Sequence, residues 1–360
     1  MNKEWAGGLA WADNKREMIT KPDSSRQPAV WQRELAASLI SPAALLEALS
    51  LPADHPQLAP AIARGFPLKV PLAYRQRMTP GNVDDPLFRQ VWPHALEAAP
   101  HPQARIDAVG DLAKARGGGI IHKYHGRALL ITTGACAIHC RYCFRRHFPY
   151  GEQLASRRQW QDALAVLAAD PSIHEVILSG GDPLSLGDDK LAALIDGLND
   201  IAHLRRLRIH TRQPIVLPSR VDEALLRWLA RSRLATVIVV HVNHAQEIDA
   251  SVAQALARLK GSGALLLNQA VLLRGINDQV EVQRRLSESL FAHGVLPYYL
   301  HLLDPVVGAM HFDVPLQEAL KLMQALGAQL PGYLMPRLAR EIPGQPGKTL
   351  YTPQGTPCLD

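Results

Sequence analysis

The sequence has few cysteines and lacks any long apolar run. Only 4 of its 360 residues are Cys, too few for a disulfide scaffold of this length. No stretch of 18 apolar residues is present, so the sequence predicts no membrane span. The first residues, MNKEWAGGLAWADNKREM, carry charges throughout and contain no apolar signal segment. We therefore expect a soluble protein of the reducing cytoplasm.

A strong excess of one charge sign is also missing. The 39 Lys and Arg residues outnumber the 33 Asp and Glu residues by only 6, and they are spread along the chain. Nucleic-acid binding would need a clustered basic stripe, so we expect no nucleic-acid partner. The hydrophobic fraction of 47% is sufficient for a large core, which excludes a disordered chain.

The chain divides into three parts by its pattern. Residues 1–105 show helical apolar spacing and many Pro and Gly residues, and they predict helices interrupted at Ser41-Pro42. Residues 106–330 alternate predicted strands with predicted helices. Residues 331–360 form a Gly/Pro-rich tail, which we expect to make turns over the mouth of the fold rather than another strand–helix unit.

The central part predicts six strand–helix units. Its strands are nearly continuous apolar runs, as in a parallel sheet covered on both faces. The predicted strands are 128–133, 175–180, 206–211, 236–242, 264–271 and 296–303, and the predicted helices are 156–169, 188–202, 222–232, 245–261, 278–294 and 315–327. Six units fit a doubly wound sheet or a partial barrel. We predict the α/β class with a partial (β/α)6 TIM-type barrel, and a site at the carboxyl ends of its strands.

Three of the four cysteines lie close together. Cys136, Cys140 and Cys143 form the pattern C-x3-C-x2-C in the loop after the first predicted strand. Three interpretations fit: buried structural thiols, a zinc site with His139 or His147 as fourth ligand, or a [4Fe–4S] cluster with one iron open. Thiolates are the soft ligands that such clusters need, and the tight spacing in a loop favours the cluster.

Longer motifs resemble one enzyme family. The cysteine spacing, with Tyr142 before the last Cys, resembles the radical S-adenosylmethionine (SAM) superfamily. Four ordered motifs extend the resemblance to lysine 2,3-aminomutase and its relatives, over most of the chain. These motifs are HKYHGRALLITTGACAIHCRYCFRRHF (122–148), DPLFRQVWP (85–93), LNQAVLLRGIND (267–278) and PYYLHLLDP (297–305).

The resemblance implies three cofactors: a [4Fe–4S] cluster, SAM and pyridoxal 5′-phosphate. The open iron chelates SAM, and a reductant for the cluster drives release of a 5′-deoxyadenosyl radical. That radical removes a hydrogen from the lysine β-carbon, the nitrogen migrates from the α- to the β-carbon, and the hydrogen returns. The candidate SAM contacts at the strand ends are Gly180, Gly181, Asp182, His210, Arg212, His241, Asn243 and Gln269.

The same resemblance implies the cofactor lysine and three substrate residues. Lys348, in PGQPGK, matches the family's catalytic lysine, which binds pyridoxal phosphate as a Schiff base. Arg145 matches the Arg that pairs with the substrate carboxylate. Asp304 matches one of two carboxylates that bind the side-chain ammonium. The other is normally Asp, and here it is Glu341, whose extra methylene is expected to move the substrate.

Departures from the family pattern indicate one branch. The clostridial-type enzymes bind structural zinc through a Cys-rich extension; here Cys358 stands alone near Asp360 and INDQ (276–279) lacks a further Cys, so we expect no zinc. Glu341 and the short tail resemble the bacterial branch that converts (S)-α-lysine to (R)-β-lysine. In that branch a partner ligase attaches the product to elongation factor P.

Several alternatives stay open. The enzyme could be a catabolic or osmolyte-forming lysine aminomutase, or could act on another amino acid such as glutamate. A glutamate enzyme would not be expected to keep Asp304 and Glu341 as an anionic pair. A non-catalytic iron–sulfur protein and a zinc-binding structural protein are further candidates. A homo-oligomer is compatible with the sequence.

Overall fold

The computed structural model describes residues 28–55, 58, 66–153, 157–352 and 357–358. Within these ranges ten strands form one sheet, ordered as they occur along the chain. The strands are β1 Ile120–Tyr124, β2 Arg127–Thr133, β3 Glu175–Gly180, β4 Arg206–Thr211, β5 Ala235–Val240, β6 Leu265–Val271, β7 Leu296–His301, β8 Arg337–Arg340, β9 Thr349–Tyr351 and β10 Pro357–Cys358.

Seven consecutive strands, β2 to β8, pair in parallel. Antiparallel strands flank them: β1 pairs with β2, and β9 lies between β8 and β10. Among the described residues β1 and β10 have one neighbour each, so the sheet is open. The predicted partial α/β barrel is confirmed, and its six strand–helix units begin at β2 and end after β7.

Helices connect the parallel strands. The helices are α1 Val30–Ala36, α2 Pro42–Ala48, α3 Leu72–Arg75, α4 Pro86–Arg89, α5 Tyr150–Gln153, α6 Arg157–Ala169, α7 Asp188–Asn199, α8 Gln213–Val216, α9 Glu223–Ala230, α10 Ala250–Gly261, α11 Val280–Ala292 and α12 Leu316–Gly327. The six predicted helices are confirmed as α6, α7 and α9 to α12. Helix α10 begins later than predicted because Asp249 is its N-cap and accepts a hydrogen bond from the Val252 amide (2.9 Å).

The predicted helix break at Ser41-Pro42 is also confirmed. Ser41 caps α2, and Pro42 occupies the first helical position, where its missing N–H has no partner to lose. The N-terminal part packs its apolar side chains directly onto the cysteine loop. Its buried cluster includes Trp31, Leu45, Leu49, Tyr74, Phe88 and Trp92 together with Ala137 and Ile138. The division into three domains stays a prediction, and residues 1–27 lie outside the described residues.

The prediction for the C-terminal tail was wrong in one respect. The tail makes turns, but it also extends the sheet: β8 pairs in parallel with β7, and β9 and β10 fold back beside it. These strands have only four, three and two residues, too few for a periodic signal. The turn between β8 and β9 carries Lys348. Strand β1 was not predicted, because its sequence IIHKY combines two apolar residues with polar ones and shows no strand alternation.

The main core lies between the parallel sheet and its helices. Every residue of β3 is buried, which explains its unbroken apolar run. On the helical side the core includes Leu194 of α7, Trp228 of α9, Leu256 of α10 and Leu326 of α12. In the part of the chain that the structure describes, we find no helix with the length and apolar content to cross a membrane.

A substitution at Gly181 tests how tightly β3 packs against the cysteine loop. A Cβ atom on Gly181 would lie 2.4 Å from the carbonyl oxygen of Ala135, so Gly181→Ala forces the two loops apart. We expect a loss of about 1–3 kcal/mol in the free energy of unfolding, as in other overpacked sites. Urea unfolding measures this loss.

Gly187→Ala is the matched control. Nothing lies within 4 Å of a Cβ atom at Gly187, and its φ of −67° suits any residue. The control should lose less stability than Gly181→Ala, because its only expected cost is that of Ala at the N-cap of α7. An equal loss of stability in both variants would show that the contact with Ala135 is not the cause.

Candidate active site

A cavity of about 670 Å³ opens at the carboxyl ends of the parallel strands. The sequence-predicted residues on its wall are Cys136, Cys140, Cys143, Arg145, Gly180, Gly181, Asp182, His210, Arg212, His241, Gln269, Asp304, Glu341 and Lys348. Asn243 is not part of the wall. Residues that are more than 200 positions apart in sequence, such as Cys136 and Lys348, therefore share one cavity.

The cysteine loop follows β2 and rests on the N-terminal part of the chain. The ammonium of Lys69 donates a hydrogen bond to the carbonyl oxygen of Cys136 (2.8 Å), and the amide of His139 donates to the carbonyl of Lys69 (3.1 Å). Inside the loop, the Cys143 amide donates to the Cys140 carbonyl (3.0 Å). These bonds hold the three thiols at the cavity wall.

The three thiols form a donor set suited to an iron–sulfur cluster. Burial raises the pKa of Cys136 well above its usual range, and the negative charges of Asp182 and the other two cysteines raise it further. Burial and the charge of Cys140 raise the pKa of Cys143 to about 11. Binding of all three thiolates to iron would offset this mutual repulsion, and thiolates are the usual cluster ligands.

Each of the two candidate zinc-ligating histidines has one ring nitrogen bonded to a backbone carbonyl, a contact that metal-ligating histidines also make. Nδ1 of His139 bonds to the Pro67 carbonyl (2.9 Å) and its ring stacks on Phe66, while Nε2 of His147 bonds to the Val307 carbonyl (3.0 Å). Among the described ranges no three His, Cys, Asp or Glu side chains converge as ligands of a single ion. The expectation of no zinc stays a prediction, and three thiols are a usual ligand set for an iron–sulfur cluster.

The two glycines after β3 serve the chain's own packing. A Cβ atom on Gly180 would lie 2.4 Å from the carbonyl oxygen of Thr133, and one on Gly181 equally close to that of Ala135. Gly180 also has a φ of +123°, which other residues rarely adopt. The two glycines thus allow the backbone at the end of β3 to approach the end of β2 and the cysteine loop closely.

Asp182 connects three loops of the site. Its buried carboxylate accepts hydrogen bonds from the Thr211 hydroxyl (2.7 Å) and from the backbone amides of Leu184 (3.0 Å), Arg212 (2.7 Å) and Gln213 (3.0 Å). Its own amide donates to the Ala135 carbonyl (2.8 Å). Burial raises the pKa of Asp182 despite these four donors. The side chain therefore fixes the loops after β3 and β4 rather than presenting a free oxygen to a ligand.

The guanidinium of Arg212 points at a cysteine sulfur. Nη1 lies 2.7 Å from Sγ of Cys140 and 2.6 Å from the Tyr142 hydroxyl. Nη2 donates to Gln90 Oε1 (2.7 Å) and to Glu247 Oε2 (2.9 Å). Arg212, which was predicted to contact SAM, is thus part of a buried hydrogen-bond network directly behind Cys140. The Nε of Arg212 has no partner.

Three more predicted SAM contacts differ in their surroundings. His210 is half-buried on the cavity wall, and its buried Nε2 has no partner. The desolvated ring of His241 stacks on Tyr142 and bonds to its hydroxyl (3.1 Å); burial and Arg212 lower its pKa to about 3. Gln269, on β6, also lines the cavity. A buried nitrogen without a partner needs a ligand or water, so His210 marks a position for a polar group.

Asn243 must be reassigned. Its Nδ2 donates to Gln90 Oε1 (3.0 Å), and its Oδ1 accepts from the Val271 amide (2.9 Å). The side chain is fully buried and connects the loops after β5 and β6. It supports the wall from behind, where it has no access to a SAM molecule in the cavity.

Arg145 is paired within the protein. Its Nε and Nη2 both lie 2.9 Å from Oδ2 of Asp111, and its Nη1 donates to the Ser179 hydroxyl (2.9 Å). Burial raises the pKa of Asp111 but Arg145 and Lys123 outweigh it, so the carboxyl stays ionised. A substrate carboxylate would meet a guanidinium that is already oriented by an anion.

The other end of the cavity holds the predicted lysine and its two carboxylates. Lys348 Nζ lies 2.8 Å from Glu341 Oε2, and Lys123 Nζ lies 2.7 Å from Glu341 Oε1. Lys348 is also 5.9 Å from the centre of the Tyr299 ring. Burial raises the pKa of Asp304 to about 7, although Lys348 opposes this shift. The two predicted ammonium-binding carboxylates thus lie beside the predicted cofactor lysine.

Sequence reasoning missed the partners of these residues. Asp111, Lys123, Gln90, Glu247 and Lys69 each complete a charge or hydrogen-bond network at the site, and each is far in sequence from the residue it contacts. Lys123 and Gln90 lie within motifs that carried the family resemblance, which was the available signal. Their pairings depend on tertiary structure and leave no local pattern.

Comparison with protein families defines the class. The model of the Radical SAM superfamily matches residues 130–281, from within β2 to the start of α11, and includes all three clustered cysteines. The fold and the cysteine loop thus place the chain among radical SAM proteins.

Three relatives define the family within this class. The chain is 47% identical to the L-lysine 2,3-aminomutase of Escherichia coli (strain K12), over 92% of this chain and 96% of the relative. It is 45% identical to that of Haemophilus influenzae (91% and 96%) and 38% identical to that of Buchnera aphidicola (92% and 98%). This chain belongs to the L-lysine 2,3-aminomutase family of isomerases, and the resemblance predicted from its motifs is confirmed.

The buried ion pair behind Cys140 allows a stability test. Glu247→Gln removes the charge that faces the Arg212 guanidinium, where neither side chain has access to bulk water. Breaking such a pair leaves a buried charge unbalanced, so we expect a loss of about 3–5 kcal/mol in the free energy of unfolding. Urea denaturation of the purified protein measures it.

The exposed Glu281→Gln is the control. Glu281 pairs with Arg284 and Arg285 on the surface of α11, where solvent screens the interaction. Unfolding of this variant should stay close to that of the wild type. If Glu247→Gln is as stable as the control, the Arg212 network does not support the fold.

Proposed function

We propose that this chain is a radical SAM, pyridoxal-phosphate-dependent lysine 2,3-aminomutase that converts (S)-α-lysine to (R)-β-lysine. One observation carries the proposal: a single cavity is lined by the three clustered cysteines, by Arg145, and by Lys348 with its two carboxylates. Radical formation, cofactor attachment and recognition of both ends of lysine require these groups in one place.

The cysteine end of the cavity suits a cluster and SAM. Cys136, Cys140 and Cys143 would hold three irons of a [4Fe–4S] cluster, and its fourth iron would bind SAM and supply a deoxyadenosyl radical after reduction. His210 offers an unpartnered buried nitrogen to a polar ligand. A cytoplasmic reductant is required, and the reducing cytoplasm suits the free thiols.

The opposite end suits pyridoxal phosphate. Lys348 would hold the cofactor covalently through its amine, and the cofactor would stabilise the migrating nitrogen. Glu341 orients Lys348 in the turn between β8 and β9. The lysine must lose its proton to act as a nucleophile, and the enclosed position between Glu341 and the Tyr299 ring keeps its amine oriented.

Charge complementarity supports lysine as the substrate. Arg145 presents a cation for the carboxylate, and Asp304 and Glu341 present anions for the distant ammonium. An α-amino acid with an acidic side chain would place its second carboxylate near two carboxylates, which is unfavourable. The same charges make glutamate a poor substrate.

We further propose that the β-lysine serves the modification of elongation factor P by a partner ligase. The support is the substitution of Glu341 for the usual Asp and the identity of nearly half with the E. coli relative. Adding the purified ligase and elongation factor P to the reaction tests it: transfer of the product to the factor supports the role. Accumulation of free β-lysine that the ligase does not use favours a catabolic or osmolyte role.

Lys348→Ala tests the proposed reaction. The variant lacks the amine that holds pyridoxal phosphate, so it should form no β-lysine and lose the visible absorbance of the bound cofactor. Because Lys348 lies away from the cysteine loop, iron content and reductive cleavage of SAM should persist. Anaerobic incubation with lysine, SAM, pyridoxal phosphate and dithionite, followed by chiral analysis, measures the product.

Lys190→Ala is the control, at an exposed position of α7. It should match the wild type in product and in absorbance. Retained turnover in Lys348→Ala would contradict the assignment of the cofactor lysine.

Asp304 predicts a pH dependence of lysine capture. With its pKa raised to about 7 by burial, Asp304 is neutral at pH 6 and anionic at pH 8. An ammonium is bound by the anionic form, so kcat/KM for lysine should rise as the pH increases through about 7, and kcat/KM reports the free enzyme. Lys348, Arg340 and Lys123 oppose the shift and Glu341 adds to it.

Asp304→Asn separates this group from other titrations. The variant cannot ionise, so it should lose the rise near pH 7 and have a lower kcat/KM at pH 8. Because its pKa is raised, Asp304 holds its proton more tightly in the folded state than in the unfolded state. As the pH rises from about 4 to 7, the wild type should therefore lose more stability than the variant. Identical kcat/KM profiles would show that Asp304 does not bind the ammonium.

A further inference from the structure

Five charged side chains form a continuous chain of alternating sign along the cavity wall. Asp111 pairs with Arg145 through Oδ2 (2.9 Å) and with Lys123 through Oδ1 (2.6 Å). Glu341 pairs with Lys123 through Oε1 (2.7 Å) and with Lys348 through Oε2 (2.8 Å). We call this set the charge chain. It runs from Arg145, which is proposed to bind the carboxylate, through Glu341, which is proposed to bind the ammonium, to Lys348.

Asp111 and Lys123, the second and third members, use their polar atoms for hydrogen bonds within the protein. The third hydrogen bond of the Lys123 ammonium goes to the Val109 carbonyl (2.7 Å), so all three of its N–H groups are used. Both oxygens of Asp111 are occupied as well. Their side chains are nearly inaccessible, with 4% of Asp111 and 11% of Lys123 exposed. These residues are therefore suited to positioning their neighbours.

The two oxygens of Glu341 have different partners. Oε1 is held by Lys123, and Oε2 is held by Lys348. When Lys348 is consumed in binding a cofactor, Oε2 loses its cation while Oε1 keeps it. An incoming substrate ammonium would restore the same charge at the same oxygen. Lys348 thus occupies, in the free protein, the position proposed for the substrate ammonium.

We infer that the Asp111–Lys123 pair is a spacer that fixes the distance between Arg145 and Glu341, and so selects lysine over shorter diamino acids. This inference rests on the proposed function. Lys123 acts through Glu341, which makes it a positioning residue. Without Lys123, the Glu341 carboxylate would be free to rotate or to follow the ammonium of a shorter substrate such as ornithine.

The two lysines also keep Glu341 anionic. Burial alone would raise the pKa of its carboxyl, but Lys348 and Lys123 together lower it below its usual range. After the loss of Lys348, Lys123 is the remaining cation bonded to this carboxylate. A neutral side chain at position 123 would therefore weaken the anion just when the substrate arrives.

The test compares Lys123→Met with Lys114→Met, a matched substitution at an exposed lysine. Full-length protein is reconstituted anaerobically with cluster, SAM and pyridoxal phosphate but without reductant, so that no turnover occurs. Calorimetric titration gives dissociation constants for L-lysine and L-ornithine. Wild type and Lys114→Met should share one preference for lysine, and Lys123→Met should reduce it by about tenfold, the discrimination typical of one methylene.

Lys123→Arg is the second variant, because loss of the ammonium can also weaken folding. Arg keeps the charge and the two carboxylate partners but presents a planar, longer group. It should bind lysine while changing the lysine-to-ornithine ratio, and in turnover assays KM should change more than kcat. Iron content and melting temperature establish which variants are folded.

The outcomes separate the two proposals. If the wild type binds neither amino acid, the proposed function fails. If the wild type prefers lysine and the folded position-123 variants keep the same ratio, the spacer is refuted while the function stands. If Lys123→Met does not fold, an unchanged ratio in Lys123→Arg alone overturns the inference.

Discussion

The site depends on one buried carboxylate, that of Asp182. With three backbone amides and one hydroxyl donating to it, this side chain fixes the loops after β3 and β4 relative to each other. Its own amide fastens the cysteine loop after β2. These hydrogen bonds offset the free-energy cost of burying the carboxylate. The main effect of Asp182 is to fix the positions of the loops. Three strand ends are thereby held in one arrangement.

Burying so many charges is possible because each has a partner. Arg212 faces Glu247, Arg145 faces Asp111, and Lys123 lies between Asp111 and Glu341. Without a partner, each of these ions would cost on the order of several kcal/mol to remove from water. Pairing lowers that cost and fixes the orientation of each side chain. The cavity can then offer oriented charges to a zwitterion without reorganising.

The sequence predicted the parallel strands and the cavity residues well, for physical reasons. Buried parallel strands such as β3 and β4 are short apolar runs, and 175–180 and 206–211 were predicted with the bounds that the structure has. Polar residues at their carboxyl ends converge because the strands are parallel. The cysteines and Lys348 were found by spacing and by resemblance to a family, which depend on local sequence.

What the sequence could not predict depends on contacts between distant segments. Nothing local distinguishes Arg145 as a residue already paired with Asp111, or Arg212 as one that faces Cys140. Asn243 follows a strand like the true wall residues, but its amide is used by Gln90 and the Val271 backbone. The short strands β8 to β10 depend on pairing with β7 for their existence. Such features follow from the assembled sheet.

Arg145 and the strand that leads into the cysteine loop are both bonded to Ser179 on β3. Arg145 donates to the hydroxyl of Ser179 on β3, while the hydroxyl of Thr132 on β2 donates to the carbonyl of the same Ser179 (3.0 Å). The cysteine loop leaves β2 after Thr133, the next residue, so Arg145 and the clustered cysteines are fixed to adjacent strands. Lys348, in contrast, is carried by the turn between β8 and β9 at the far edge of the parallel strands.

This arrangement gives the charge chain a second consequence. In the turn that carries Lys348, Pro343, Gly344 and Pro346 are exposed. Glu341 ties it to Lys123 on β1, which in turn pairs with Asp111 and, through it, with Arg145. Ion pairs across the open side of the sheet therefore position the Lys348 turn relative to Arg145. Because a sheet that does not close lacks backbone hydrogen bonds there, side-chain charges supply the connection that strand pairing would otherwise provide.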